Sequence, residues 1–131
     1  MDLIEELKRE EGFRPTVYKD HLGKDTIGYG TLMPLTEPEC DWLLRNRLSV
    51  FIDDIDEKFK DSQLHPTARD ILYLMAYQMG LAGVMKFKKM IEALRVGNYY
   101  QASLEMADSQ WYRQTPKRAS RLITQMQQIK G

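Results

Sequence analysis

The chain has 131 residues, 43% of them hydrophobic, and 19 Lys+Arg against 19 Asp+Glu, for a net charge of zero. That suffices for one domain burying roughly two-thirds of the surface its unfolded chain would expose, and a single cysteine, Cys40, excludes an internal disulfide framework. No window approaches the roughly 18 apolar residues of a membrane span, and Met1-Asp2 runs directly into a charged pattern without the features of an export signal.

The first amphipathic pattern is "LIEELKREE", where Leu3, Ile4 and Leu7 repeat at helical spacing and Gly12 supplies a stop, predicting a helix over about 3–11. From Phe13 to Thr31 the period changes to β-branched and aromatic residues with Gly23 at a turn, which predicts a hairpin. "TEPE", residues 36–39, is a capping box with Pro38 tolerated in the first turn. A long helix follows to about Lys60, with Cys40, Leu44, Leu48, Phe51, Ile52, Ile55 and Phe59 as its apolar stripe. Cys40 therefore reads as a small core residue, and nothing brings it together with His21 or His65 as nucleophile and base.

Pro66 opens the next helix, apolar nearly all round and stopped at Gly80, as suits a buried central helix. Shorter helices are predicted over about 84–95, about 99–108 after Asn98 as cap, and about 116–128 with Thr115 as cap. The fold class expected is α+β and mostly helical, in a single domain over 1–131. A small β lobe (about 13–35) and a helical lobe (about 1–12 and 60–131) are joined by a connecting helix (about 37–60), with a cleft between the lobes. Residues 84–131 hold 9 basic against 3 acidic side chains, net +6, and residues 1–83 hold 10 against 16, net −6. A basic end suits an anionic partner, and it suits equally two solvated faces that attract each other.

Chemistry concentrates in "EEGFRPTVYKDHLGKDTIGYGT", residues 10–31. At roughly 100° per residue Glu11 falls nearest the centre of the Leu3/Ile4/Leu7 stripe, closer than Glu10, Glu5 or Glu6. The negative end of the helix dipole and partial burial would both disfavour its ionised form, as suits a general acid. A hairpin loop over residues 21–25 would set Asp20 opposite Thr26, and a carboxylate beside a hydroxyl can hold a water. From spacing alone the plainer alternative stays open: Glu11 as a buried ion-pair partner and Asp20 as a turn residue.

Glu11-Gly12, "YKD" at 18–20 and "TIGYG" at 26–30 together resemble the catalytic segment of the phage-type lysozymes, a family of glycoside hydrolases. "QMGLAGVMKF" (78–87) and "SQWYRQTPKRASRLIT" (109–124) resemble the same family's central-helix end and carboxy-terminal helices, so the likeness runs over nearly the whole chain. The resemblance implies that Glu11 protonates the glycosidic oxygen, that Asp20 positions or deprotonates the attacking water, and that Thr26 helps to hold it. It implies inversion, with the carboxyl groups about 6.5–9.5 Å apart. Leu32, Tyr77 and Gln78 match saccharide-facing positions, as do Met90 and Glu105, where the family type has a small polar residue and an amide. Gly30 and Arg118 match supporting positions, Arg118 as the partner of the catalytic Glu.

Thr31 stands where a histidine is usual, and "MPLTEPE" reaches the capping box almost at once, which predicts a reduced small lobe and a more open cleft. The implied function is an endolysin-type muramidase acting on peptidoglycan. It would work as a monomer without metal or cofactor, made in the host cytoplasm and reaching the periplasmic wall after a holin permeabilises the membrane. No nucleic acid and no membrane insertion are expected. A lytic transglycosylase, or a non-catalytic wall-binding or virion module, are the alternatives.

Overall fold

The computed structural model describes residues 1–130. Its described residues form seven helices and a three-stranded antiparallel sheet, the α+β, mostly helical class. Two compact units result, Met1–Leu43 and the chain from Leu44 onward.

In the first unit α1 (Leu3–Glu11) is held at its ends by local chemistry. The Asp2 carboxylate accepts from the amides of Ile4 and Glu5, and Gly12 N–H donates to Lys8 C=O at 2.9 Å. Glu5 and Glu6 in the first turn and Lys8 and Arg9 in the last complement the helix dipole. None of α1 is buried, and Leu3, Ile4 and Leu7 are exposed.

Strands β1 (Arg14–Lys19) and β2 (Asp25–Gly28) form the hairpin, and β3 (Thr31–Leu32) adds a third strand that the sequence does not announce. The expected register, Asp20 opposite Thr26, is not the one that forms: Tyr18 pairs with Thr26 and Lys19 with Asp25. The cause is the Asp20 side chain. Its Oδ1 accepts from the amides of Leu22 and Lys24, both at 2.9 Å, closing the turn around Leu22 instead of Gly23. A displacement of two residues preserves the parity of the pleat, so Asp20 and Thr26 still share a face as diagonal neighbours. Leu32 pairs with Thr26 across β2–β3, which makes Tyr18, Thr26 and Leu32 one row across the sheet. Between β3 and the next helix lie only residues 33–36.

The capping box forms as expected: Glu39 Oε1 accepts from Thr36 N–H at 2.8 Å, and Thr36 Oγ1 accepts from Glu39 N–H at 3.3 Å. The Thr36 amide, with help from its hydroxyl, holds the Glu39 carboxyl below its ordinary range. Helix α2 (Glu37–Lys58) follows, but its amino-terminal stripe is not core: Cys40 and Leu44 are exposed, and within α2 only Ile55 is buried.

From Ile55 onward the second unit packs a continuous apolar core. Ile71, Leu72 and Met75 of α3 (Pro66–Met85) sit in it with Phe59, Met90, Leu94, Met106 and Met126. Around them lie α4 (Lys88–Arg95), α5 (Tyr99–Ala107), the short α6 (Gln110–Gln114) and α7 (Pro116–Gln127). Asn98 caps α5 by accepting from Gln101 N–H. Thr115 does not cap α7 through its side chain; its hydroxyl donates to Trp111 C=O at 3.0 Å, finishing α6 instead. Helix α3 breaks at Gly80, whose φ of 78° and ψ of 164° lie outside helical space and in the left-handed half that glycine tolerates. Outside the core, α2 and α3 are clamped by Asp56, which accepts from Tyr73 Oη at 2.5 Å and pairs with Arg69 at 3.2 Å. Burial, then the Asp56 bond, pushes the Tyr73 hydroxyl above the ordinary tyrosine range, so it remains a donor at neutral pH.

Candidate active site

Glu11 closes α1, and Gly30 lies in the connection between β2 and β3 with φ +74°. A Cβ built on Gly30 would come within 2.6 Å of the Glu11 carboxyl carbon, with Oε2 as its nearest atom. The carboxyl group therefore rests on bare backbone that only glycine can provide. Glu11 itself is exposed, so the partial burial expected from its helical phase is absent. What places it is the glycine.

Asp20 stands at the head of the hairpin turn. One of its oxygens is occupied by the two turn amides, and the Lys24 amide, outweighing an opposing desolvation, is the main reason its carboxyl titrates below the ordinary 3.8. It is therefore a turn residue and an ionised carboxylate at once, with its second oxygen available for a water. Thr26 is 2% exposed, the one buried residue of the first unit, and its hydroxyl donates to Lys24 C=O at 2.9 Å. With its hydrogen committed, that hydroxyl offers its remaining lone pairs as an acceptor. Leu32, exposed, lines a shallow cavity of ≈ 550 Å³ with Lys24, Asp25, Met33 and Pro34.

The other sequence-predicted positions lie in the second unit. Tyr77 is partly exposed at the end of the first α3 segment, edge-on to Phe51 with ring centroids 6.0 Å apart. These two rings and Asn46, Arg47 and Val50 line a cavity of ≈ 340 Å³. Gln78, half-buried, accepts through Oε1 from the indole N–H of Trp111 at 2.9 Å. Met90 is fully buried, so any contribution it makes to binding is to shape the floor beneath a groove of ≈ 540 Å³. Glu105 lines that groove and accepts from Gln101 Nε2 at 3.1 Å. Arg118 is exposed in the first turn of α7. The groove is also rimmed by Lys86, Lys88 and Lys89 and walled by Phe87 and Trp111, whose rings meet edge to face at 6.1 Å. Sequence reasoning passed over Trp111, although a tryptophan in an otherwise polar "SQWYRQ" is the available signal: its indole N–H needs a partner once buried.

The geometry thus offers an exposed acid on a glycine floor, an ionised acid with one free oxygen, and a fixed hydroxyl acceptor beside it on the same sheet face. The family model described as "Phage lysozyme" matches residues 8–128. The chain is 30% identical to the pre-baseplate central spike protein Gp5 of Enterobacteria phage T4, a match covering 93% of this chain and 27% of that protein. It is 27% and 26% identical to the probable T4-type lysozymes 2 and 1 of Dictyostelium discoideum, each match covering 90% of this chain and 89% of the relative.

Proposed function

The chain belongs to the phage lysozyme family, a family of glycoside hydrolases, and from that premise we propose that it hydrolyses the β-1,4 bond between N-acetylmuramic acid and N-acetylglucosamine in peptidoglycan by inversion. The observation that carries the reading is the seating of the Glu11 carboxyl on Gly30, at the edge of the sheet that bears Asp20 and Thr26 on one face. Glu11 donates its proton to the glycosidic oxygen as the bond breaks. A water donates one hydrogen to the free oxygen of Asp20 and the other to the Thr26 hydroxyl, which turns a lone pair of the water toward the anomeric carbon. Asp20 then takes the water's proton as the new C–O bond forms. In the first unit Leu32 contacts the saccharide strand; in the second Tyr77, Gln78 and Glu105 do so, with Met90 under the groove that Glu105 lines and Arg118 as a supporting positive charge.

The enzyme acts as a monomer on the periplasmic wall after a holin permeabilises the membrane. Among the described residues no helix is long and apolar enough to cross a membrane. Similarity to a spike protein favours a second reading, in which the chain works within a phage particle; co-sedimentation with virions after infection would separate that from a freely released enzyme.

The test is release of reducing ends from purified peptidoglycan by the wild type and by Glu11→Gln, with the product anomer read by NMR. Loss of about 10²–10⁴-fold in the variant and an α-anomeric first product are expected. A variant as active as the wild type removes Glu11 from the chemistry, a retained anomer removes the inverting mechanism, and a 1,6-anhydro product would establish a transglycosylase.

A further inference from the structure

Lys24 is tied by its backbone to both members of the pair proposed to hold the water. Its N–H donates to Asp20 Oδ1 at 2.9 Å, and its carbonyl accepts from the Asp20 N–H and from the Thr26 hydroxyl, each at 2.9 Å. Its side chain is the opposite case: exposed, and in no hydrogen bond or ion pair among the described residues. The ammonium is a free cation on a root that the turn fixes beside the reacting groups. It lines the cavity of ≈ 550 Å³ whose other walls are Asp25, Leu32, Met33 and Pro34. Asp25 does not answer its charge, because that carboxylate pairs instead with Lys19 at 2.6 Å. Three apolar side chains and one unmatched positive charge suit a ligand that is part apolar and part anionic.

We propose that the Lys24 ammonium binds a carboxylate of the peptide stem carried by the muramyl residue at the cleaved bond, so that Lys24 sets a preference for glycan bearing unamidated stems. This rests on the reading of the chain as a peptidoglycan hydrolase and adds to it the anion that one side chain reads. The N-acetylated sugars of that polymer are uncharged, so the stem carboxylates are what the strand offers to a cation there. The stem hangs from the lactyl group of N-acetylmuramic acid, and the anomeric carbon that the water attacks belongs to the same sugar. A cation rooted on the residue whose peptide groups hold Asp20 and Thr26 is thereby anchored next to the ring from which the stem starts.

The plainer role is that of a solvated lysine at a turn, and Lys24→Gln separates the two, since it removes the charge while leaving the three backbone bonds in place. On intact peptidoglycan KM should rise about 2- to 5-fold in Lys24→Gln, the scale of one exposed ion pair, with kcat within about twofold of the wild type. Lys24→Arg should keep the wild-type KM, and high salt should erase the difference between wild type and Lys24→Gln. On glycan strands stripped of their stems by an amidase the two proteins should have the same KM. Binding is read separately, from the ¹H–¹⁵N spectrum of the labelled full chain titrated with N-acetylmuramyl-L-alanyl-D-glutamate and with its D-isoglutamine counterpart, which has a carboxamide in place of one carboxylate. Saturable shifts of the Lys24 and Leu32 amides are expected, at least about twofold tighter for the acid than for the amide, and equal for the two in Lys24→Gln. A wild-type KM in Lys24→Gln, a rise in KM of the same size on stripped strands, or equal binding of the two muramyl peptides by the wild type overturns the proposal. Failure of the wild type to release reducing ends overturns instead the reading on which it rests, and is scored apart from the titration.

Discussion

The two units are built on opposite principles. Met1–Leu43 has 5 Lys+Arg against 10 Asp+Glu, net −5, and buries one residue, Thr26. The remainder has 14 against 9, net +5, and holds every buried hydrophobic residue of the chain's described part. The first unit keeps its shape through caps, turn hydrogen bonds and a short sheet; the second through close-packed apolar volume. The acid, the carboxylate and the hydroxyl proposed for chemistry all lie in the thinly packed unit. Bond-breaking groups need polar surroundings and access, and a dense core supplies neither.

The largest expected effect lies in the core. Phe59→Ala empties a fully buried site and should cost about 3–5 kcal/mol of unfolding free energy, measured by urea denaturation. A cost below about 1 kcal/mol would mean that the second unit is not the seat of stability. Next comes Gly30→Ala, where the contrast reverses. The added Cβ must displace the Glu11 carboxyl, so peptidoglycan cleavage should fall about 10²-fold, while the positive φ costs about 1–2 kcal/mol. Activity lost only in proportion to folded fraction would show that Gly30 serves the backbone and not the acid.

The smallest effect is the titration of Asp20. Its folded carboxyl titrates below 3.8, so its ionised form favours the folded turn. That contribution is complete above the ordinary aspartate range and is lost as pH falls through the lower folded value. The ¹³C carboxyl resonance of Asp20 should therefore show a midpoint under 3.8, and Asp20→Asn should flatten the stability profile below about pH 4. A midpoint at or above 3.8 would mean that the turn amides do not hold the charge.

Much of this was legible residue by residue. Thr36 and Glu39 announce their capping box, Asn98 its cap and Gly80 its break, because each acts on atoms within four residues along the chain. The hairpin was legible in kind but not in register, since Gly23 advertised a turn that the Asp20 side chain then moved by one position. Parity alone kept Asp20 and Thr26 on one face. Glu11 was singled out by helical phase, yet phase predicts which way a side chain points and not what covers it. Its apolar neighbours Leu3, Ile4 and Leu7 are exposed, and so is Cys40 on the stripe of α2.

Alone, the sequence determined most of the helices, the hairpin, the family and the identity of the candidate acids, because local hydrogen bonds and residue types suffice for those; it missed the short α6 and ran one helix over about 84–95 where α3 extends to Met85 and α4 begins at Lys88. Only the tertiary structure decided that β3 pairs with β2, that Gly30 forms the floor under Glu11, that Met90 is sealed in the core, and that Trp111 reaches across 33 residues to Gln78. Each of these joins atoms whose separation in the chain carries no period and no cap. They meet because packing closes the distance, and periodicity cannot report a distance it does not contain.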